Sequence, residues 1–439
     1  LGFWIGEGFV IRGLSGIVVV GAFALVCAGA FAADATHSAP EADGTLEAYI
    51  ALAMESSPGL GAALARQEAA AALIGRVGAL PDPVVSYGHY FDEVETRVGP
   101  QVYRLGVRQR LPWFGKLSLA EDAARERAAA QTERVRAVRL DVVVSVTQAY
   151  ADFAYLTEAI AITEERASLL RTLDEVVRAA YSSGSASYGD VMKSQIGLAR
   201  VEDKLSSMRA GVAPASSRLA AAVGLRVDSE LPVQEVMPSV EGDPVALDVA
   251  AFELQSPDLL ALRHETEAAR FEQRLARRGP LPDLTLGVDY IATDDALMPV
   301  EDSGKDPLVG VASISVPLWF GKHVAAARQA GAAVSASERA TEQRALELVA
   351  ELRALEFELD DALRKVALYE DRLVPAAEQA VSSTEASYRA GTADFDALVT
   401  AHESALEFEL ALARARADAL IAKAKLARLT GATGHAADD

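Results

Sequence analysis

Long stretches of the chain repeat apolar residues at helical spacing. Val143, Val146, Tyr150 and Phe153 lie three, four and three apart, and Leu348, Leu352, Leu355, Leu359 and Leu363 lie four, three, four and four apart. Such stripes give a helix one apolar face that packs along a neighbour, with the drift of a coiled-coil-like contact. From Leu117 to Ala180 there is neither proline nor glycine. The pattern predicts a single helix of roughly 95 Å at 1.5 Å per residue. A helix of that length needs other helices lying alongside it.

Shorter, alternating segments interrupt the helices. A helical stretch from Asp43 to Arg76 leads to Pro81 and Pro83, which bar further helix. Val84 to Tyr90 then reads as a strand, Phe91 to Pro100 as a polar loop, and Val102 to Arg110 as a second strand. Tyr103, Leu105, Val107 and Gln109 share one face of it. Pro112 closes this hairpin, 84–110, and a second is expected over 284–316, with an acidic loop from Thr293 to Asp306. A lone two-stranded ribbon is marginal, so each hairpin is expected to join a larger sheet.

The chain is an internal duplication. Trp113-Phe114-Gly115-Lys116 recurs as Trp319-Phe320-Gly321-Lys322, Leu80-Pro81-Asp82 as Leu281-Pro282-Asp283, and Ser57-Pro58 as Ser256-Pro257. Tyr181 and Gly184 match Tyr388 and Gly391, Asp190-Val191-Met192 matches Asp396-Ala397-Leu398, and Gly224 matches Gly431. The expected organisation is two units, 43–224 and 244–431, joined by a proline-bearing connector, 225–243, and followed by a disordered tail, 432–439. Each unit carries a helix, a β-hairpin and an antiparallel helical hairpin. The helical hairpins cover 117–223, with its tip near Gly184, and 323–429, with its tip near Gly391.

The N-terminus adds a compartment. Arg12, an apolar run from Ile17 to Ala28, and Ala30-Phe31-Ala32 read as a signal peptide over 1–32, with 33–42 as a linker. Leu1 to Val10 is more apolar sequence than such a leader needs, so the translation start is expected downstream of residue 1. Cys27, the single cysteine, follows Val26 rather than a small residue and is not expected to be lipidated. Without it the mature chain would have neither disulfides nor thiolate metal sites. No later apolar run is long enough for a spanning helix, so any membrane span must be built of strands.

Charge and chemistry then exclude whole classes. A net charge of -21 argues against nucleic-acid binding, and an acidic lumen would favour cations over anions. The six histidines are scattered, and His402 reads as a solvated helix residue. No Ser-His-Asp set, phosphate loop or HExxH is present, so neither an enzyme nor a cofactor or metal site is expected.

Tyr388-Arg389-Ala390-Gly391-Thr392, followed by Asp396-Ala397-Leu398, resembles the Gly-Thr tip and Asp-x-Leu of the TolC-like outer-membrane efflux proteins. In the first unit methionine, Met192, takes the leucine position. Gln109 to Lys116 is similar to the strand-to-helix junction of that family's heavy-metal-efflux branch. The resemblance covers about Asp43 to Gly431. It implies a mainly α fold with membrane β-hairpins, three subunits closing a twelve-stranded barrel that continues as a coiled-coil α-barrel through the periplasm.

It further implies an exit duct for metal cations or drugs, working with a periplasmic adaptor and an inner-membrane transporter. Gly184, Asp190, Gly391, Asp394 and Asp396 become candidates for the tip and its gate, with helix capping as the plain alternative for the aspartates. Trp113 and Trp319, placed just inside their strand ends, become candidates for the lipid interface. Lys116 and Lys322 would reach headgroups or stand solvated. The alternatives are an exit channel for type I protein secretion and a periplasmic coiled-coil adaptor, the latter disfavoured by two hairpins filling most of the chain.

Overall fold

The computed structural model of the protein describes residues 44–226 and 254–431, with Pro232, Met237, Pro238, Val240 and Phe252 between them. The signal peptide, the 33–42 linker, Cys27, most of the 225–243 connector and the 432–439 tail lie outside the described residues.

The first unit runs α1 (Leu46–Ser56), α2 (Pro58–Gly78), β1 (Val84–Val94), β2 (Gln101–Leu111), α3 (Lys116–Ser182) and α4 (Tyr188–Val223). The second runs α5 (Pro257–Arg277), β3 (Leu284–Thr293), β4 (Leu308–Ile314), α6 (Phe320–Leu368), a π-helical turn (Tyr369–Leu373), α7 (Val374–Arg389) and α8 (Phe395–Thr430).

Several boundaries differ from the sequence expectation, each for a local reason. The stretch 43–76 is two helices, because Ser57 caps α2 by accepting from the Leu60 N–H at 3.3 Å and Pro58 opens it. β1 runs on to Val94, which pairs with Gln101 past an irregular register, so the loop starts later than Phe91. β4 stops two residues short of Val316, where Ser315 leaves the ladder to bond Asp283. The Asp283 N–H donates to Ser315 Oγ at 2.7 Å, and the Ser315 N–H to the Asp283 carbonyl at 2.9 Å. The second long helix also carries a π turn just before Pro375. Proline lacks an N–H and its ring presses on the carbonyl four residues back, and the wider turn relieves that contact.

Helix α3 has 67 residues, roughly 100 Å of helix, and is the spine of the fold. It packs against α2, α4, α5 and α8. Ala123, Ala130, Ala151, Ala159 and Ala167 are buried along it and let its neighbours approach closely. The largest core sits at mid-height, where Tyr49, Val146, Tyr150, Leu219, Val223 and Ile421 meet. A separate small core of Val177, Val191, Phe395 and Leu398 ties the two hairpin tips together.

The strands form one antiparallel sheet in the order β1-β2-β3-β4. Its register sets Tyr87 beside Leu105, Leu105 beside Tyr290, and Tyr290 beside Leu308. One face is therefore a continuous exposed apolar surface that includes Val85, Tyr87, Leu105, Val107, Val288 and Leu308. The other face carries Ser86, Arg104, Gly106, Arg108 and Asp289. No helix among the described residues is long and apolar enough to cross a membrane.

Candidate functional site

The polar face of the sheet is built around Asp289, whose side chain is fully buried. It stands opposite Gly106 in the β2–β3 register, with Arg104 and Arg108 two residues to either side. Both guanidiniums donate to Asp289 Oδ2, Arg108 at 3.4 Å. Their side chains stay 41% and 38% exposed, so one carboxylate is enclosed by two half-open cations. A Cβ at Gly106 would lie 2.2 Å from Asp289 Oδ1 and 2.7 Å from Ser86 Oγ. Only glycine leaves room for the carboxylate there.

At the end of the sheet nearest the helices, Asp283 gathers the strand-to-helix junction. It accepts from Lys116 Nζ at 2.9 Å, Arg110 Nη2 at 2.5 Å and the Trp113 N–H at 3.0 Å. Burial by itself would raise its pKa. The bonds from Lys116, Arg110 and Trp113 outweigh that and hold the carboxyl at about 2.

Lys116 also donates to the Leu281 carbonyl at 2.7 Å, so its charge is taken up within the chain rather than by headgroups or bulk water. Lys322, its counterpart, is exposed. Neither tryptophan lies inside a strand: Trp113 follows β2, and Trp319 is the N-cap of α6. Trp113 is 37% exposed and Trp319 78%.

At the far end, both tips turn on glycines of positive φ, Gly184 at 80° and Gly391 at 73°, where a side chain would be strained. Asp190 forms a capping box with Ser187. The Asp190 N–H donates to Ser187 Oγ at 3.1 Å, and the Ser187 N–H donates to Asp190 Oδ2 at 3.0 Å. The Ser187 hydroxyl and N–H hold the Asp190 carboxyl below its usual range. Asp394 caps α8 by accepting from the Ala397 N–H at 2.9 Å.

Asp396 instead accepts from Lys193 Nζ at 2.9 Å, joining the N-terminal ends of α4 and α8. Lys193 completes this tip and was not among the expected residues. Its pKa is raised by the Asp396 hydrogen bond. Its only sequence signal is the place three residues after Asp190.

His402 corrects an expectation outright. It is buried at 5% exposure between α8 and α7, with Nε2 3.5 Å from Glu385, and burial lowers its pKa despite that carboxylate. Among the described residues no three His, Cys, Asp or Glu side chains gather where they could hold a metal ion.

A four-stranded sheet with one lipid-like face and one charged face, set on paired helical hairpins, defines a subunit of an oligomeric membrane duct. Alone it leaves β1 and β4 as open edges, which lipid does not tolerate. Residues 49–225 and 251–432 match the model of the outer membrane efflux protein family, and the chain belongs to that family. Its members are trimeric barrels with a long helical part, and the chain is an efflux exit channel of the outer membrane that extends into the periplasm, not an enzyme.

Similar solved structures agree on the fold. The outer membrane protein VceC from Vibrio cholerae has a TM-score of 0.74 at 22% identity, covering 88% of this chain and 96% of its own. CusC has 0.74 at 18%, covering 88% and 91%. The open state of the MtrE outer membrane channel from Neisseria gonorrhoeae has 0.74 at 19%, covering 88% and 89%. No curated protein sequence matches the chain.

Proposed function

We propose that three copies of this chain form the exit duct of a tripartite efflux assembly. Cargo enters at the Gly184 and Gly391 tips from a periplasmic adaptor and an inner-membrane transporter, and leaves through the barrel. Conduction is passive, with energy supplied by the transporter. The observation that carries this reading is the sheet, whose apolar face suits lipid while its other face lines a path with charge. Deleting the gene and measuring accumulation of a panel of metal salts and drugs tests it. Accumulation unchanged for the whole panel contradicts an efflux role.

In this reading the tips are the gate, and Trp113 and Trp319 mark the lipid boundary beside their junctions. Asp190 and Asp394 hold their helix starts, which leaves the Lys193–Asp396 pair as the latch between hairpins. Both members are more than half exposed, so the latch is weak in stability and acts through geometry. Asp396→Ala is expected to raise the conductance of single channels in planar bilayers. Unchanged conductance removes Asp396 from the gate.

The charged wall bears on cargo. Arg104 and Arg108 against Asp289 leave one net positive charge per subunit, three in a trimer, inside a chain of net charge -21. Such a collar attracts anions and opposes small cations, which favours drugs carrying acidic groups over metal cations. Arg104→Gln leaves Arg108 on Asp289 and cancels the collar's net charge. Its reversal potential in a KCl gradient is expected to move toward cation preference, with the chloride-to-potassium permeability ratio falling about two- to fivefold. Arg104→Lys should keep the wild-type value.

A further inference from the structure

The two units are copies, and a single chain contains only one of the two junctions that copies can make. Inside the chain, the turn leaving β2 closes on the segment entering β3. Lys116 Nζ meets Asp283 and the Leu281 carbonyl, and the Trp113 N–H meets Asp283. The same residues exist a second time. The turn leaving β4 carries Trp319 and Lys322, and the segment entering β1 carries Leu80 and Asp82. The turns also share a backbone bond, from the Lys116 N–H to the Trp113 carbonyl at 3.0 Å and from the Lys322 N–H to the Trp319 carbonyl at 3.1 Å.

Within one chain this second set has nothing to close on. Leu80, Asp82, Trp319, Phe320 and Lys322 are all exposed, and neither Asp82 nor Lys322 forms an ion pair among the described residues. They stand beside the two open edges of the sheet, β1 and β4. Trp319, at about twice the exposure of Trp113, shows what the in-chain junction covers and the other lacks.

Closure of a trimeric barrel sets β4 of one subunit antiparallel to β1 of the next. Within that seam we propose that Lys322 of one copy closes on Asp82 of the next, repeating the Lys116–Asp283 junction and its register. The proposal rests on the closed trimeric barrel of the family. Register follows from the duplication. Pro112 directly precedes Trp113, whereas Leu318 separates Pro317 from Trp319, so β4 matches β2 through the prolines, one residue out of step with the tryptophans.

The in-chain pairs Gln109 with Leu286 and Val107 with Val288 then become Ile314 with Val85 and Ala312 with Tyr87. All four lie on the apolar face. A slip of one residue would set Tyr87 beside Ser313 and turn apolar side chains inward, so burial in lipid enforces this register. Antiparallel repetition of the seam three times leaves no edge strand.

Directly opposed side chains on one face have Cβ atoms about 4.5–5.5 Å apart, near the reach of a disulfide. In the full chain carrying Cys27→Ser, Val85→Cys with Ile314→Cys is expected to give a covalent trimer on non-reducing gels after boiling, which falls to monomer on reduction. Ser86→Cys with Ile314→Cys points to opposite faces and should stay unlinked. If amine cross-linking captures a trimer while the first pair stays unlinked under oxidant, or the second pair links instead, the register is overturned and the trimer stands. If no trimer is captured, the closed-barrel reading itself falls.

The ion pair has its own test. Asp82→Lys and Lys322→Asp should each lower the temperature at which the trimer dissociates, and the double exchange should restore it. A double exchange no better than the singles overturns the ion-pair part of the seam.

Discussion

Asp283→Ala is expected to abolish the heat-resistant trimer, the largest loss from any single charged residue in the chain. Its side chain is 8% exposed and collects donors from three residues between the end of β2 and the start of α3, Arg110, Trp113 and Lys116. Alanine leaves the Lys116 ammonium without its carboxylate in a largely covered site, together with an unpaired Trp113 N–H. Removing one partner of such a buried pair costs about 3 kcal/mol or more. The strands and the long helix meet at this point, so the loss falls on their relative placement.

Acid tests the same residue without mutation. The folded pKa of about 2 lies below the unfolded value of 3.8. A group with a depressed folded pKa contributes stability that is fully present above its unfolded pKa and lost as pH falls through the folded one. The contribution, about 1–2 kcal/mol after allowance for solvent at the junction, should therefore fade between about pH 4 and pH 2. Trimer dissociation temperature, measured in detergent across that window, should fall more in the wild type than in Asp283→Asn. Parallel acid curves for the two would mean that the Asp283 carboxylate does not stabilise the junction.

Gly106→Ala is expected to be the second large effect, from a change of one methyl group. The added Cβ would stand 2.2 Å from Asp289 Oδ1. The carboxylate cannot retreat, since it is buried between Arg104 and Arg108. Overpacking of this kind costs about 1–3 kcal/mol, and here it also disturbs the ladder between β2 and β3. The readout is the yield of folded trimer in outer membranes, with a fall expected. Adding Asp289→Ala removes the clashing oxygen and leaves the two half-exposed arginines to water, so the double variant should recover part of that yield. Equal yields for Gly106→Ala and wild type would mean that the strands part easily at this point.

How much of this was legible in the sequence depended on punctuation. Prolines at 81 and 83 and glycines at 184 and 391 mark where helix must stop, and Pro112 marks where the hairpin ends, so the order of helices, hairpins and tips is directly readable. The split of 43–76 into two helices is less plain, because Ser57-Pro58 can open a helix as well as interrupt one. The π turn has no such mark, because Pro375 lies inside an otherwise unbroken apolar pattern that helix propensity alone would carry through.

Tertiary partners were the least legible. In the sequence Asp283 is only the end of a repeated Leu-Pro-Asp, since nothing local shows that Lys116 and Arg110 converge on it from more than 160 residues away. The charged wall has a usable signal, arginines at 104, 108 and 110 that share one strand face, but its partner Asp289 lies on another strand. His402 read as solvated because its neighbour in sequence is Glu403. The face it uses is set by α7, which one helix's pattern does not reveal.

A chain that builds a conducting duct through the outer membrane must carry current across lipid. The most direct measurement adds the full-length protein, extracted from outer membranes in detergent, to one side of a planar lipid bilayer and records current at fixed voltage. Discrete upward steps of uniform size are expected, each the insertion of one trimer. A protein recovered from outer membranes as trimer that gives no steps across a wide range of protein amount would contradict it.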